Sequence, residues 1–359
     1  MILTYKKYII SVFLKNILII NILFFSLVLI LNILEEITFF KNLEVNFFIP
    51  IYLTLLNSFS ILFEIFPFIF LIGTLSFFVE ILDKNELIIY KNYGLSNLNI
   101  ISLILCSTFI LGVFLVLFFY NVSSSLKFLY LDTKNNYTVD DKYLAVITAN
   151  GLWIKDHANG SINIINAENI DDENLLNVLI TQFDDSYNFI KLIEAEKINI
   201  KNKVWQIDNG KVTQNNITEI SEETIVLKTN FNSERISNLF SNLSSLNLVK
   251  LSKLEKDYVS LGYSTTKVRN HMLNIYMYPI YLSLMVCIGS ILMFNISHNK
   301  PRVFYMITGI IISVLIYYMN YLFNLLIESQ KIPIMFTVWF PQFLLLLFCT
   351  VGLVRINEK

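Results

Sequence analysis

Residues 98–120 read Leu-Asn-Ile-Ile-Ser-Leu-Ile-Leu-Cys-Ser-Thr-Phe-Ile-Leu-Gly-Val-Phe-Leu-Val-Leu-Phe-Phe-Tyr, a run without a single charge. A helix crosses a hydrocarbon core about 30 Å thick with about 20 such residues. Directly after it, from 121 to 262, charged residues become frequent and the apolar runs shorten. Outward from this junction the membrane-length pattern recurs, at 9–34 and 51–82 before it and at 272–296, 303–327 and 333–354 beyond the polar region. The chain therefore reads as an integral membrane α-helical protein of six spans, three and three, around a polar insert.

Composition supports this. Of 359 residues 55% are hydrophobic, with 30 Phe and 10 Gly, and the net charge is -1. That is too apolar for an ordinary soluble domain, and the charge argues against a nucleic-acid partner. Cys106, Cys287 and Cys349 all lie in apolar segments, where a small buried hydrophobe is expected rather than a disulfide or a metal ligand. His157, His271 and His298 are scattered without H-E-x-x-H spacing, so no metal, cofactor or catalytic residue is expected. The first apolar run is too long for a signal peptide and lacks an A-x-A-like site, so it is expected to remain in the mature protein.

Lysine and arginine in the short loops set the orientation. Lys6, Lys7 and Lys15, then Lys84 and Lys91, then Lys300 and Arg302, then Arg355 and Lys359 share one side if the spans alternate. The opposite loops are poorer, with Glu35, Glu36, Lys41 and Glu44 after the first span and Glu328 and Lys331 after the fifth. The positive-inside bias places both termini in the cytoplasm and the insert outside.

Within the insert, short alternating runs read as strands: 143–148, 152–155, 161–166, 189–193, 197–200, 204–207, 211–213 and 224–228. Breakers Ala149-Asn150-Gly151, Ala158-Asn159-Gly160 and Asp208-Asn209-Gly210 predict tight hairpins, because Asn-Gly supplies positive φ. An antiparallel sandwich or roll follows, with Trp153 and Trp205 in its core. Residues 232–251 read as a connector, with a short helix near 251–261.

The loop Asp83-Lys84-Asn85-Glu86-Leu87-Ile88-Ile89-Tyr90-Lys91-Asn92-Tyr93-Gly94-Leu95-Ser96 predicts a short interfacial helix ended by Gly94, with Ser96 opening the next helix. Glu86, Tyr90 and Tyr93 fall on one stripe, Lys84 and Lys91 on another. On the residues alone this is either a solvated turn or a peg for a cytoplasmic partner.

The loop resembles the coupling-helix pattern of the LptF/LptG permease family, matching at Asn85-Glu86-Leu87, Lys91 in place of the usual Arg, Gly94 and Ser96. Glu64-Ile65-Phe66-Pro67 followed by Leu71-Ile72-Gly73-Thr74-Leu75 is similar to the family's second helix. Gly151-Leu152-Trp153-Ile154-Lys155-Asp156, Glu194-Ala195 with Trp205, and Pro333 with Val338-Trp339-Phe340-Pro341 match further motifs in order. The strand at 152–156 and the Trp-x-Pro ending favour the LptG-type branch, with an LptF-type paralogue as the alternative.

The resemblance implies a membrane subunit of the ABC transporter that extracts lipopolysaccharide. Its partners would be an LptF-like paralogue, an LptB-like ATPase dimer and an LptC-like periplasmic, membrane-anchored protein. It implies transmembrane helices in 1–120 with a coupling helix at 83–95, a periplasmic β-jellyroll at 121–262 and further transmembrane helices in 263–359. Asp83, Glu86, Leu87, Tyr90 and Gly94 would couple to the ATPase. Lys41, Glu64, Asn320 and Asn324 are candidates for contact with lipopolysaccharide, although Glu64, Asn320 and Asn324 are equally read as interhelical hydrogen-bonding groups. The family's first helix tends to carry basic residues at its outer end, whereas here Glu35 and Glu36 stand there with Lys41 nearby. Pro67 and Pro279 are expected to kink their helices.

No G-x-x-x-x-G-K-[ST] loop occurs, so energy is expected from a separate ATPase. An intramembrane lipid-modifying enzyme would need a nucleophile and base beside Glu35, Glu36 or Glu64, and no such motif is visible. A force-transmitting ABC subunit would place four helices, not six, around the insert.

Overall fold

A computed structural model describes residues 2–41, 43, 45–135, 137, 152–158, 160–171, 173–214, 217–220, 224–233, 235–236, 242–261, 264–295, 301–328 and 333–357. The long helices are α1 (Ile2–Phe40), α2 (Phe48–Asp83), α4 (Asn97–Phe114), α5 (Tyr120–Asn135), α7 (Thr266–Asn295), α8 (Arg302–Glu328) and α9 (Ile334–Asn357); α3 (Glu86–Asn92) and α6 (Leu248–Leu261) are short. A π-helical turn, Leu115–Phe119, joins α4 to α5 without a break. Among the described residues, six helices are long and apolar enough to cross a membrane: 5–40, 48–83, 97–135, 266–294, 303–326 and 334–356. The chain divides into a helical unit, 1–127 with 266–359, and a second unit, 128–265.

In the helical unit α2 is the centre. Two thirds of its most apolar window, 67%, is buried, against 22% for α1 and for α8, and it packs on α1, α7 and α8. Inside a bilayer every backbone polar group has to be satisfied by the protein. Pro67, in the middle of α2, cannot donate to the carbonyl of Phe63. The Tyr278 hydroxyl of α7 donates to that carbonyl instead, and the Tyr278 ring stacks on Phe63 with centroids 4.4 Å apart. At the same junction a Cβ on Gly112 of α4 would stand 2.7 Å from Pro279 Cα, so the α4 and α7 backbones meet where α7 carries its own proline. The π-turn one step further along places Phe119 against Phe63 and Phe66, and the Tyr120 hydroxyl lies 3.1 Å from His271 Nε2. Three irregular helices are thus cross-braced by side chains. Of the cysteines, Cys287 and Cys349 are buried as expected, whereas Cys106 is exposed on the helix surface.

The second unit holds an antiparallel β-sheet: β1 (Leu152–Ala158), β2 (Ser161–Asp171), β3 (Asn174–Asp184), β4 (Phe189–Asn199), β5 (Val204–Ile207), β6 (Lys211–Gln214), β7 (Ile217–Ile220) and β8 (Ile225–Lys228). Strands β1 to β4 form a meander. Gly160, at φ +72°, closes the predicted hairpin between β1 and β2, where Ala158 pairs with Ser161. The turn expected at 208–210 is different. Gln206 pairs with Asn199 and Lys211–Thr213 pair with Glu194–Leu192 in one continuous register, so β5 and β6 are two halves of a single strand beside β4. Asp208-Asn209-Gly210 is a mid-strand bend, with Asn209 rather than Gly210 at positive φ, 55°.

The bend belongs to a line crossing the sheet. Buried positions step by three instead of two at Leu175/Val178, Ala195/Ile198 and Ile207/Gly210. Asn177, at φ 49°, stands on the same line; Asn tolerates this conformation because its short polar side chain bonds locally, here to Glu168 Oε2 at 2.5 Å. The slip exchanges the inward and outward faces of the strands. Trp205 is fully buried, with Nε1 donating to the Phe231 carbonyl at 3.1 Å. Trp153 is corrected: it is 53% exposed, because Leu152, Ile154 and Asp156 take the inward positions of β1. Strands β3 and β7 were not foreseen. The strand predicted at 143–148 and the turn at 149–151 lie outside the described residues.

Tyr278→Phe is expected to lower stability by about 1–3 kcal/mol, because the Phe63 carbonyl is left buried without a donor. Adding Pro67→Ala restores the helical donor and should recover part of the loss, read as thermal unfolding of the purified full chain in detergent.

Candidate functional site

The first candidate is the turn carrying α3. Seven residues are too few to form a helix unaided, and both ends are fixed by backbone geometry. Asn85 enters in the left-handed region at φ 54°, and Gly94 leaves it at φ +80°. The Gly94 N–H donates to the Lys91 carbonyl at 2.9 Å and the Leu95 N–H to the Tyr90 carbonyl at 3.0 Å, the paired closure of a Schellman motif. Ser96 Oγ then accepts the Asn99 N–H at 3.2 Å and opens α4. The predicted helix at 83–95 is therefore 86–92, with caps on either side.

Leu87 is buried beneath α3. Glu86 accepts the Tyr8 hydroxyl at 2.6 Å and the Tyr90 hydroxyl at 3.4 Å, so these two predicted residues face α1. Burial, reinforced by the Glu86 charge, holds the Tyr90 hydroxyl well above the ordinary phenol range and keeps it a donor. The outward surface consists of Ile88, Ile89 and Tyr93, exposed at 58, 49 and 77%, together with Asp83. A small pocket of about 200 Å³ behind α3 is lined by Phe78, Leu82, Leu87, Lys91, Met293 and Ile356 among others.

Below this turn lies a hub that sequence reasoning missed. Glu80 Oε1 accepts Lys15 Nζ at 2.7 Å and Lys84 Nζ at 2.8 Å, and Oε2 accepts Asn16 Nδ2 at 2.7 Å. Asn16 Oδ1 in turn accepts the Ser76 hydroxyl at 2.8 Å. The bond to Glu80 holds the Lys84 ammonium above the usual lysine range. One carboxylate thus ties the fourth turn of α1, the α2 end and the start of the α3 turn together. Its signal was present: a lone Glu one helical turn from Lys84.

The second candidate is a polar cluster at the other end of α1 and α2. Asn57 Nδ2 donates to Asn32 Oδ1 at 3.0 Å, Asn32 Nδ2 approaches Ser58 Oγ at 3.4 Å, and Lys127 Nζ donates to Asn57 Oδ1. Glu64, one to two turns along α2 and exposed on its surface, is within Coulombic reach of Lys127. Lys127, which the sequence reading passed over, is thereby a cation beside Glu64. Lys41 is exposed in the turn after α1, with its N–H on the Thr38 carbonyl at 3.5 Å. Glu36 is fully buried within α1 rather than in a loop. Asn324 accepts Asn270 and Asn274 of α7 at 3.3 and 3.4 Å, and Asn320 lies beside the Tyr281 hydroxyl; both serve the α7–α8 contact.

Six membrane-length helices among the described residues, with an antiparallel β insert after the third and a capped short helix between the second and third, define a multi-pass membrane protein. The family model for the lipopolysaccharide export system permease LptF/LptG matches residues 7–355, and the chain belongs to that family. Membership makes it a permease component of the lipopolysaccharide export system and a multi-pass inner-membrane protein, not an enzyme. The family joins the LptF and LptG branches in one description. No curated protein matches the chain.

Glu80→Leu is expected to destabilise the helical unit by about 1–3 kcal/mol, since the buried Asn16 amide loses its acceptor. Lys15→Ala, whose ammonium is in water, should cost below about 1 kcal/mol. Thermal unfolding of the two variants in detergent reads the contrast.

Proposed function

We propose that the chain is an LptG-type permease subunit, paired with an LptF-like paralogue and driven by an LptB-like ATPase dimer. Lipopolysaccharide would pass from the membrane to an LptC-like protein through the β unit. Transmembrane regions 1–120 and 263–359 flank the insert at 121–262 in this reading. Both termini face the cytoplasm and the β unit faces the periplasm, in keeping with Lys6, Lys7, Lys84, Lys91 and Arg355 on one side. The observation carrying this reading is the peg at 83–95. A helix bracketed by two left-handed residues, anchored by Leu87 and presenting Ile88, Ile89 and Tyr93 to the outside, fits an apolar groove of a partner.

Closure of the ATPase dimer would push on α3. Glu86, bonded to Tyr8, carries that push into α1, while Glu80 carries it into α2. Tilting helices on one side of the subunit narrows the lipid cavity on the other. Asp83 adds a charged rim, and Gly94 fixes the exit angle of the chain. At the outer end Lys41 and Lys127 supply cations for a phosphorylated head group, with Glu64 balancing Lys127. Asn320 and Asn324 act through the α7–α8 contact that shapes the cavity wall.

Glu86→Ala is expected to weaken retention of the co-expressed ATPase roughly tenfold, the equivalent of about 1.4 kcal/mol, and to reduce lipid transport. Tyr8→Phe should act in the same direction, less strongly. Wild-type retention and transport in Glu86→Ala would remove the docking role. In a separate measurement, Lys41→Glu and Lys127→Met are expected to reduce photocrosslinking to lipopolysaccharide while leaving assembly intact; unchanged crosslinking removes the head-group role.

A further inference from the structure

The pocket behind α3 carries chemistry that partner docking does not use. Its walls come from five helices of the helical unit: Phe78 and Leu82 of α2, Leu87 and Lys91 of α3, Asn97 of α4, Phe294 of α7 and the last turn of α9. Phe78 and Phe294 meet edge to face, with ring centroids 5.0 Å apart, and Leu87 is the buried residue of α3. Most of the lining is thus aromatic or aliphatic. Lys91 is exposed, so its stem can cover apolar surface while its ammonium stays in water.

One polar atom interrupts this lining. Asn97 Oδ1 is buried and has no hydrogen-bond partner among the described residues. A buried acceptor left without a donor is destabilising, and such atoms are few in folded proteins. Whatever satisfies it has to present an O–H or N–H, which excludes a deprotonated acid even with Lys91 nearby. Size narrows the class further. The pocket holds about 200 Å³; drug-sized sites run to about 300–1,000 Å³, whereas a cavity of about 150 Å³ lined by Leu, Ile and Phe takes up benzene. A phenol-sized ring fits. Rings with one polar edge also concentrate at the ends of membrane spans, and α3 joins the ends of two spans, 48–83 and 97–135.

We propose that this pocket binds a small neutral aromatic molecule bearing one O–H or N–H, of the phenol and indole class. The ring sits against Phe78, Phe294, Leu82 and Leu87, and its donor is accepted by Asn97 Oδ1. Because Leu87 forms part of the wall, occupancy bears on the seating of α3. The pocket is therefore an effector site on this turn, separate from the route of the lipid, and its chemistry is the same whether or not α3 meets an ATPase.

The test uses the full chain in phosphatidylcholine nanodiscs, with para-fluorophenol and fluorobenzene as probes read by fluorine NMR. Saturable binding of both is expected above the linear partition into empty nanodiscs. Leu82→Trp fills the space and should abolish the saturable part for both probes. Asn97→Leu removes the acceptor at similar volume: para-fluorophenol is expected to bind roughly three- to tenfold more weakly, with fluorobenzene undiminished. Para-fluorobenzoate, which has no donor, should show partition only. Thermal unfolding checks that each variant is folded; where Leu82→Trp is not, the contrast between the two probes in Asn97→Leu decides alone. A signal that never saturates, or that is unchanged in Leu82→Trp, is partition into the bilayer and overturns the site. Equal loss of both probes in Asn97→Leu overturns the hydrogen-bonded class of ligand, and saturable benzoate binding overturns it in favour of an acid.

Discussion

A bilayer offers no water to an orphaned carbonyl, and this one constraint governs the helical unit. Pro67 breaks the ladder of α2, the helix against which α1, α7 and α8 pack, and the break is tolerable because Tyr278 closes it from the neighbouring helix. The same tyrosine ring covers Phe63, so hydrogen bond and stacking act on one spot. Irregularities in α4 and α7 converge there as well, at Gly112, Pro279 and the π-turn. Departures from regular helix in three helices are thus gathered at one junction, where side chains of neighbouring helices meet them.

The peg at α3 sits at the opposite logic. Its helix exists through its ends and its contacts rather than through its own propensity. Gly94 and Asn85 set its direction, Leu87 its depth, and Glu86 its attachment to α1. Beneath it Glu80 collects partners from both helices. The turn that exposes Ile88, Ile89 and Tyr93 is thus bonded to α1 through Glu86 and, at Lys84, to α2 through Glu80.

The six spans were legible because hydropathy over twenty residues outweighs any local preference, and the short helix α3 because Gly94 and Ser96 mark caps with a known geometry. The β unit was legible only in part. Strand β3 was missed because Asn174–Asp184 shows no clean alternation: the slip at Asn177 places Leu175 and Val178 on the same face, three apart. The same slip made Asp208-Asn209-Gly210 look like a hairpin, since a bend and a turn call for the same residues. Trp153 was assigned to the core by size, yet parity along β1 decides its side and parity depends on register. At the candidate sites, Glu80 and Lys127 were passed over because each gains its meaning from residues about 60 to 70 positions away in the sequence.

Tyr8 stands two turns of helix from the beginning of α1, and it is the residue that steadies Glu86. The first turns of α1 are therefore tied to the turn that carries α3, although the two lie far apart in sequence. Ile356, in the last turn of α9, lines the pocket behind the same short helix, so the first and last helices of the chain both reach it. A substitution in the first two turns of α1 is therefore felt, through a single phenol, at a turn 78 residues further along the sequence.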